Sequence, residues 1–314
     1  MTFPWQRMTI GEFADFERIL NPGVVQANGI YWRRVRPMFY RSLLPFQEYD
    51  PALVKPPAMA WFGGFQHTVP PGEIANSFLN LLMFEEAGTY SLDSLDYQRR
   101  RQVKLAAKQF TIRPITDKEE FKEKAYPVYR SFYERTQYQY GSQRTKQDFF
   151  SRWTDALFQI PKLVALGGYR NGVLGGVSLS LLLEDTLYYA IFFCDTESLR
   201  SQLSGLMLHS LREWAAECKC ARQIFAGLCK NEGGKGVDDF YLQRGCKLVK
   251  KPALLQINPL TAFLLRRFLP GEYDRLIGDI RDARGSQAVE RSASFQKPGT
   301  TVFATETQTS NCQA

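Results

Sequence analysis

Between residues 110 and 257 the hydrophobic positions switch repeatedly between the period of a strand and the period of a helix. Phe110 to Ile115 is a short run typical of a strand. The helix predicted after it places its apolar residues on one face, at Phe121, Ala125, Val128, Tyr129 and Phe132. Asp117, with Glu120 three residues later, has the spacing of a capping box at the start of this helix.

The middle of the chain predicts a second helix and then three sequential strands. The helix spans about 146–158, and a strand runs from Leu163 to Tyr169. Asn171-Gly172 readily takes positive φ, which indicates a hairpin turn. In the partner strand, Val or Leu at 177, 179, 181 and 183 alternates with Ser at 178 and 180. Thr186 to Cys194 is the third β-rich run.

The C-terminal part predicts two helix–strand pairs and a closing helix. A helical stripe within 201–217 consists of Leu203, Leu206, Met207, Leu211 and Trp214. The elements predicted after it are a strand at 223–228, a helix at 237–244, a strand at 248–257 and a helix at 259–277. Periodicity then vanishes among Ser, Thr, Gln and Gly, so we predict a disordered tail at 281–314.

The first hundred residues predict a smaller mixed α/β unit. A helical pattern around Phe13 and Phe16 precedes a strand-like segment from Tyr31 to Leu44. Proline-rich loops at 50–57 and 69–72 separate shorter apolar runs, and the type of the runs in 75–87 stays open. We therefore divide the chain into an N-terminal unit (1–100), a larger domain (101–280) and the tail.

Composition and charge narrow the class of protein. The 314 residues are 44% hydrophobic and 23% charged, as in a globular protein. No apolar stretch approaches the ~20 residues of a membrane span, and the start lacks the plan of a signal peptide, so we expect a cytoplasmic protein. A net charge of +8 suits an anionic partner. The densest basic run, Arg99 to Arg101 on a predicted helix at 93–108, indicates either an anion site or a solvated helix face.

The cysteines predict buried, reduced thiols and no metal site. Six are present, none of them in a Cys-x-x-Cys pair, and His67 and His209 are the only histidines. Cys218 and Cys220 could chelate a metal only with distant ligands. Free thiols indicate a reducing compartment.

The order of elements from 110 to 257 resembles that of the GNAT superfamily. The resemblance implies a mixed, mostly antiparallel sheet flanked by helices, and an acyl-CoA held where two parallel strands diverge. In that fold the pyrophosphate lies on the N-terminus of the helix after the fourth strand, where backbone amides lack partners. The superfamily motif there, Gln/Arg-x-x-Gly-x-Gly/Ala, is half matched by residues 202–207. The donor-binding residues implied are therefore Gln202, Leu203, Ser204, Gly205 and Leu206, with carbonyl-polarising amides at Cys194, Asp195 and Thr196. An ordinary helix start that contains a glycine is the alternative.

A second match concerns the catalytic acid. Residues 239–246 resemble the superfamily's Phe-Tyr-x-x-x-Gly-Phe signature, in which the tyrosine commonly protonates the departing thiolate. The resemblance assigns this role to Tyr241, because a phenol and a thiol have similar pKa values. The alternative is a packed core aromatic. The Asn often found ahead of this motif is displaced here, at Asn231.

A third match lies upstream. Residues 89–95 and 99–108 are similar to the helix that opens the second half of Fem-type transferases, double-GNAT relatives that form amide bonds, some of them with aminoacyl-tRNA. This likeness implies that residues 1–100 are a reduced first GNAT-like half.

The segment between the first two helices of the larger domain walls the acceptor pocket in the GNAT fold. It carries two cations and two aromatics, namely Arg135, Tyr138, Tyr140 and Arg144. Guanidinium groups bind carboxylates or phosphates, and aromatics stack on sugars or apolar chains, so these residues indicate either acceptor binding or surface decoration. No general base stands out among Glu184, Asp185 and Asp195, and His209 has the position of a packing or surface residue.

The sequence therefore predicts an N-acyltransferase. It would use acyl-CoA, such as acetyl-CoA, as co-substrate and no metal. The acceptor would be an amine of a small molecule, saccharide, peptide or cell-envelope-type compound. A Fem-type transferase dependent on aminoacyl-tRNA and a catalytically inactive binding protein are the alternatives. A serine hydrolase and a Walker-type nucleotide site are disfavoured, because neither Gly-x-Ser-x-Gly nor a complete phosphate loop is present.

Overall fold

The computed structural model describes residues 5–20, 22–136, 145–229, 236–271 and 273. The first hundred or so residues contribute β1 (Arg7–Met8), α1 (Ile10–Leu20), β2 (Val24–Ala27), β3 (Ile30–Arg36), β4 (Phe39–Ser42), β5 (Gly64–Thr68), β6 (Ser77–Phe84) and α2 (Tyr97–Ala107). The proline-rich segments form the connections around β5, as the sequence predicts.

The remaining elements follow the predicted alternation of strands and helices. They are β7 (Thr111–Pro114), α3 (Lys118–Thr136), α4 (Gln147–Leu157), β8 (Val164–Arg170), β9 (Val173–Leu183), β10 (Thr186–Cys194), α5 (Thr196–Arg200), α6 (Leu203–Cys218), β11 (Gln223–Leu228), α7 (Val237–Leu242), β12 (Lys247–Ile257) and α8 (Pro259–Phe268). Two of them differ from the expectation: α5 was not predicted, and the predicted helix at 259–277 is interrupted after Phe268, with residues 270, 271 and 273 helical again. The predicted end at 277 lies outside the described residues.

All described strands belong to one mixed sheet, in the order β2-β3-β4-β5-β12-β6-β11-β10-β9-β8-β7, with β1 pairing beside β9. Most pairs are antiparallel, and β10–β11, β4–β5 and β1–β9 are parallel. This confirms the predicted mixed, mostly antiparallel sheet flanked by helices.

The sheet is continuous across the predicted boundary at residue 100. Strand β6 lies between β11 and β12 and pairs antiparallel with both. Its sequence, Ser-Phe-Leu-Asn-Leu-Leu-Met-Phe, is apolar on both faces, as expected for a central strand. The division into units at 1–100 and 101–280 stays a prediction, and the predicted tail lies outside the described residues.

Helices cover both faces of the sheet over β8–β11. Valine and leucine of β9 at 177, 179, 181 and 183 pack with α1, α3 and α4 in one core, which includes Phe13, Phe121 and Phe150. The opposite core includes Leu187 of β10 with Leu203, Met207 and Leu211 of α6. Ser178 and Ser180 are also fully buried, so β9 is covered on both sides. No helix within the described ranges is long and apolar enough to cross a bilayer.

Candidate active site

Strands β10 and β11 begin as a parallel pair and then separate. Their pairing ends at Tyr188 and Phe225, although β10 continues to Cys194 and β11 to Leu228. Each strand has a bulge beyond this point, at Tyr189/Ile191 in its pairing with β9 and at Phe225/Gly227 in its pairing with β6. Bulges bend strands. The predicted divergence of two neighbouring parallel strands is therefore present, and it leaves a gap between them.

The junction between α5 and α6 lies close against the sheet because β8 and β9 carry glycines beneath it. A Cβ on Gly168 would lie 2.5 Å from Cδ1 of Leu203, and one on Gly176 would lie 2.8 Å from its Cδ2. A Cβ on Gly175 would lie 2.1 Å from Oγ of Ser198 in α5. Larger residues at these positions would push the start of α6 away from the strands.

Helix α6 starts at a sharp break after α5. Gln202 takes a left-handed φ of 66° as its N-cap, and the helix begins at Leu203. The N–H groups of Gly205 and Leu206 both donate to the carbonyl of Gln202. The amides of Leu203 and Ser204 precede any acceptor inside the helix, and the helix dipole is positive at this end. The predicted phosphate-binding segment therefore has the backbone geometry for an anion.

Arg244 lies against the first turn of α6. A Cβ on Gly205 would be 3.4 Å from its Nη2, so the glycine leaves room for the guanidinium group. Arg244 is 5% exposed, stacks on the ring of Phe240 at 3.8 Å and donates from Nη1 to the Phe240 carbonyl at 2.9 Å. Its Nε is buried and has no hydrogen-bond partner within the described part of the chain.

No carboxylate in the described ranges lies within ion-pair distance of Arg244. Burial, and then the nearby Arg99 cation, lower the pKa of Arg244 to about 10, so the group stays charged at neutral pH. A buried cation with an unpaired donor costs free energy that an anionic ligand would recover. Arg244 and the α6 amides together are a candidate anion site.

Tyr241 lies on α7, close to the gap. Its ring meets Tyr189 of β10 edge-on, with centroids 6.3 Å apart, and Phe84 of β6 in the same manner at 6.3 Å. The amide of Arg244 donates to the Tyr241 carbonyl at 2.9 Å. The last turn of α7 thus joins the tyrosine to the anion site at α6. The structure brings together two predicted sites that are 35 residues apart in sequence.

Neither a family model nor a curated protein matches the sequence. Solved structures do match. The C-terminal domain (DUF2156) of a putative lysylphosphatidylglycerol synthetase from Agrobacterium fabrum is 9% identical, with a TM-score of 0.53 over 80% of this chain and 92% of that one. FemX (13% identical, TM-score 0.46, 64% of this chain and 66% of that one) also matches. So does a GCN5-related N-acetyltransferase from Kribbella flavida (13%, 0.41, 80% and 95%).

At identities of 9–13%, these likenesses concern the fold alone. The mixed, mostly antiparallel sheet, the parallel β10–β11 pair that separates, and the helix α6 that follows β10 after the short α5 are the arrangement that the GNAT resemblance implies. The fold is of the GNAT type.

Within this GNAT fold, the end of β10 is occupied by structural contacts. The amide of Asp195 donates to the Gly175 carbonyl at 3.0 Å, so it is not available to polarise a substrate carbonyl. The Asp195 carboxylate caps α5 by accepting from the Ser198 amide at 2.7 Å. Cys194 is 1% exposed, and burial raises the pKa of its thiol to about 11, which disfavours a nucleophilic thiolate.

Arg135, predicted to contact the acceptor, joins α3 to the end of β10. Its Nη1 donates to the Cys194 carbonyl at 3.0 Å and to Oγ1 of Thr196 at 3.2 Å. The arginine therefore fixes the strand end that borders the gap. The other predicted acceptor residues, Tyr138, Tyr140 and Arg144, lie outside the described residues, as does Asn231.

The basic run of α2 adjoins the anion site on one side. Arg99 donates to the side chain of Gln243, the neighbour of Arg244 in sequence. Arg100 pairs with Asp93 at 2.8 Å. Part of the run is thus held in structural contacts, while Arg99 extends the positive potential around α6.

Two of the three candidate bases, Glu184 and Asp185, lie away from the gap. Asp185 contacts Arg222 at 3.4 Å, at the end of β10 opposite Cys194, and Glu184 is in the same turn. His209 is buried in α6, with Nδ1 2.9 Å from the hydroxyl of Tyr90, and burial lowers the pKa of its ring. The interpretation of His209 as a packing residue agrees with these contacts.

The cysteine prediction is wrong for one pair, because Cys218 and Cys220 are joined by a disulfide. The other cysteines in the described ranges, Cys194, Cys229 and Cys246, form no disulfide with one another. Among the described side chains, no group of three His, Cys, Asp or Glu could hold a metal ion.

Sequence reasoning missed two features of the site. Arg244 occupies one of the unspecified positions of the tyrosine motif, and its placement directly before Gly245 is the only signal. The second feature is the pair of glycines at 167–168 and the pair at 175–176. The sequence does show a signal for them, because Leu-Gly-Gly occurs twice in the predicted hairpin, and glycine inside a strand indicates the close approach of another element.

Proposed function

We propose that this protein is an N-acyltransferase whose donor binds through a phosphate group at the start of α6. The observation that carries the proposal is Arg244, buried against the first turn of α6, which Gly205 shapes, with an Nε that has no hydrogen-bond partner among the described residues. Acyl-CoA carries a diphosphate on a long flexible arm, which suits an anion site next to a gap between strands.

The proposed reaction is direct transfer. The amine nitrogen of the acceptor attacks the thioester carbonyl, a C–N bond forms, and the C–S bond breaks. The leaving thiolate takes the phenolic proton of Tyr241, and the proton lost by the amine goes to solvent. Positioning in the gap supplies much of the rate enhancement, because it makes the attack effectively intramolecular. Tyr241 regains its proton from water.

Titration calorimetry of the full chain with coenzyme A tests the donor. A charge-assisted hydrogen bond contributes about 1.5–3 kcal/mol, so Arg244→Gln should weaken coenzyme A binding roughly 10- to 100-fold. Arg222→Gln is the matched control, because it removes the same charge from an exposed position at the other end of β11. Its affinity should stay within about twofold of the wild type. Equal losses in both variants, or no binding to the wild type, would contradict the proposal.

An aminoacyl-tRNA donor is the second candidate, favoured by the contact of Arg99 with Gln243 beside the anion site. A tRNA donor predicts that deacylated tRNA binds where coenzyme A does not, and that its affinity falls steeply with salt. If neither ligand raises the thermal unfolding midpoint, the chain is a binding protein that retains the fold.

A further inference from the structure

Helix α8 exposes most of its apolar side chains. Each of its ten residues is described and none is buried, although its sequence, Pro-Leu-Thr-Ala-Phe-Leu-Leu-Arg-Arg-Phe, is mostly apolar. A helix of this length is marginal in water, and in proteins most helical stability comes from packing one face of the helix against another element. The composition of α8 is therefore that of a helix with a contact still to make.

The exposed apolar residues of α8 share one face of the helix. Leu260, Leu264 and Phe268 follow one another at intervals of four residues, and all three are exposed. Thr261 is on the face turned toward the protein, where its hydroxyl donates to the carbonyl of Phe62. The apolar stripe is thus on the outer face of α8.

A neighbouring segment enlarges this surface. Ala58–Trp61 form a turn of 3-10 helix, and Asn258, the N-cap of α8, donates from Nδ2 to the Trp61 carbonyl at 2.9 Å. The side chains that follow, Trp61 and Phe62, are both more than half exposed. The combined surface, which we call the α8 patch, consists of Trp61, Phe62, Leu260, Phe263, Leu264 and Phe268. Exposed apolar side chains gathered in this way mark an interaction surface.

The inner side of α8 borders a cavity. The cavity has a volume of about 410 Å³ and is lined mainly by apolar residues, among them Met38, Phe39, Ile257 and Leu265. Helix α8 therefore buries little apolar area against the described part of the chain. A partner that covers its outer face would remove a large apolar area from water.

The charge beside the α8 patch favours an anionic partner. Helix α8 ends with Arg266 and Arg267, which are both exposed. Neither α8 nor the segment 58–62 contains an acidic residue. Tryptophan, phenylalanine and leucine beside arginine are the composition of helices that lie in the headgroup region of anionic membranes.

A second copy of the chain fits the α8 patch less well. In a two-fold dimer the same surface would face itself. Arg266 and Arg267 would then approach their own copies, and the patch offers no carboxylate to lie between them. Like charges placed together in an interface are destabilising, whereas lipid phosphates would neutralise the arginines.

We propose that the α8 patch docks on the surface of a membrane that contains anionic lipid. The aromatic and aliphatic side chains would enter the headgroup region, and Arg266 and Arg267 would bind lipid phosphates. Helix α8 would lie along the membrane surface without crossing it. This inference does not depend on the proposed acyl transfer.

The test is co-sedimentation of the full chain with phosphatidylcholine vesicles, either pure or containing about one-third phosphatidylglycerol. We expect binding to the mixed vesicles and weaker binding to the pure ones. Leu260→Ser should lower the partition coefficient about tenfold, because it removes most of the transfer free energy of a leucine. Val173→Ser, in the β8–β9 hairpin, is the matched control, since Val173 is 70% exposed and Leu260 is 67% exposed. Its partition coefficient should stay within about twofold of the wild type.

A second pair of variants tests the charge. Arg267→Gln should bind the mixed vesicles about fivefold more weakly and the pure vesicles almost unchanged, because each basic residue at an anionic surface contributes about this factor. Arg152→Gln is the control, since it removes the same charge from an exposed position on α4.

Phe263→Ser replaces Leu260→Ser if that variant fails to fold. The inference is overturned if the wild type binds neither kind of vesicle, if it binds both equally, or if Leu260→Ser and Val173→Ser bind alike. Sedimentation velocity without vesicles addresses the other occupants. A dimer that Leu260→Ser dissociates would show that two copies cover the patch. A thermal unfolding midpoint that falls more in Leu260→Ser than in Val173→Ser would show that the chain covers its own patch, and either result overturns the inference.

Discussion

The two sides of the gap between β10 and β11 are formed by different kinds of groups. On the α6 side, anion-binding groups come from backbone amides and from Arg244, all within two short stretches of sequence. On the other side, a cavity is lined by side chains of β3 and β4 together with those of strands more than 140 residues later in the chain. The proposed donor site therefore depends on local motifs, whereas the cavity on the opposite side depends on the tertiary fold.

The largest expected effect is on the α6 side. Tyr241→Phe removes the proposed acid and should lower kcat about 100-fold or more, since general acid catalysis typically contributes that much. Coenzyme A affinity should not change, because the ring contacts with Tyr189 and Phe84 remain. Steady-state kinetics with calorimetry separates the two quantities. Tyr97→Phe, at an exposed position, is the control; unchanged kcat in Tyr241→Phe would exclude its role as acid.

A smaller effect is expected from crowding the support of α6. In Gly176→Ala the new Cβ would lie 2.8 Å from Leu203 and 2.9 Å from Cβ of Cys194. Overpacking of this kind costs about 1–3 kcal/mol in the free energy of unfolding. Gly88→Ala places its Cβ in open space and should cost far less. Denaturant titration compares them, and equal stability of the two variants would show that the α5–α6 junction does not depend on the glycine.

Arg135→Gln tests whether the gap depends on the end of β10. It removes the hydrogen bonds to Cys194 and Thr196 and should lower the free energy of unfolding by about 1.5 kcal/mol. Among the described residues, Arg130 on the same helix makes an exposed pair with Glu134, so Arg130→Gln should cost about 0.3–0.5 kcal/mol. Denaturant titration measures both. An Arg135→Gln loss no larger than that of Arg130→Gln would remove this contact from the account of the site.

The smallest expected effect is a change in stability with pH that involves Glu17, a buried residue 3.3 Å from Arg33. Burial raises the pKa of its carboxyl above the usual 4.5, although Arg33 partly opposes this. The folded state therefore holds the proton more tightly than the unfolded chain does. The resulting stability is present below pH 4.5 and is lost as pH rises through the raised pKa. Glu17→Gln cannot lose this proton, so its free energy of unfolding should improve relative to the wild type between about pH 4.5 and 7.

Glu12, on the same helix, gives the opposite sign and a lower pH window. The hydrogen bond from Lys162 is the main cause that lowers the pKa of its carboxyl below the usual 4.5. Glu12→Gln should therefore lose stability relative to the wild type as pH rises from below that lowered pKa to about 4.5, and the deficit should stay constant at higher pH. Denaturant titrations across pH measure both variants. Parallel pH profiles for the two would contradict the assigned environments.

The sequence predicted the fold best where periodicity and turns agree. The elements from β7 to β12 have nearly the predicted bounds, because amphipathic stripes and the Asn171-Gly172 turn each specify one structure. Strand β6 was left open since an apolar run on both faces has no alternation to read. Helix α5 was missed because five residues give too little periodicity.

Only those parts of the candidate site that lie in short sequence motifs could be predicted. Gln202, Gly205 and Tyr241 lie in short motifs and could be named in advance. The role of Arg135 could not, because its partner carbonyl at Cys194 is 59 residues away. The cavity that Arg34 and Leu228 line together could not be predicted either. These two residues become neighbours only through the order of the strands in the sheet.

The position of β6 has a consequence for biosynthesis. Its eight residues leave the ribosome more than 130 residues before β11 and β12, the two strands that flank it. Until then an apolar segment has no hydrogen-bonding neighbours and is open to association with other chains. Pairing at such sequence separation also slows folding. A nascent chain of this protein is therefore a natural client for chaperones, and its expression should respond to temperature and translation speed more than its final stability suggests.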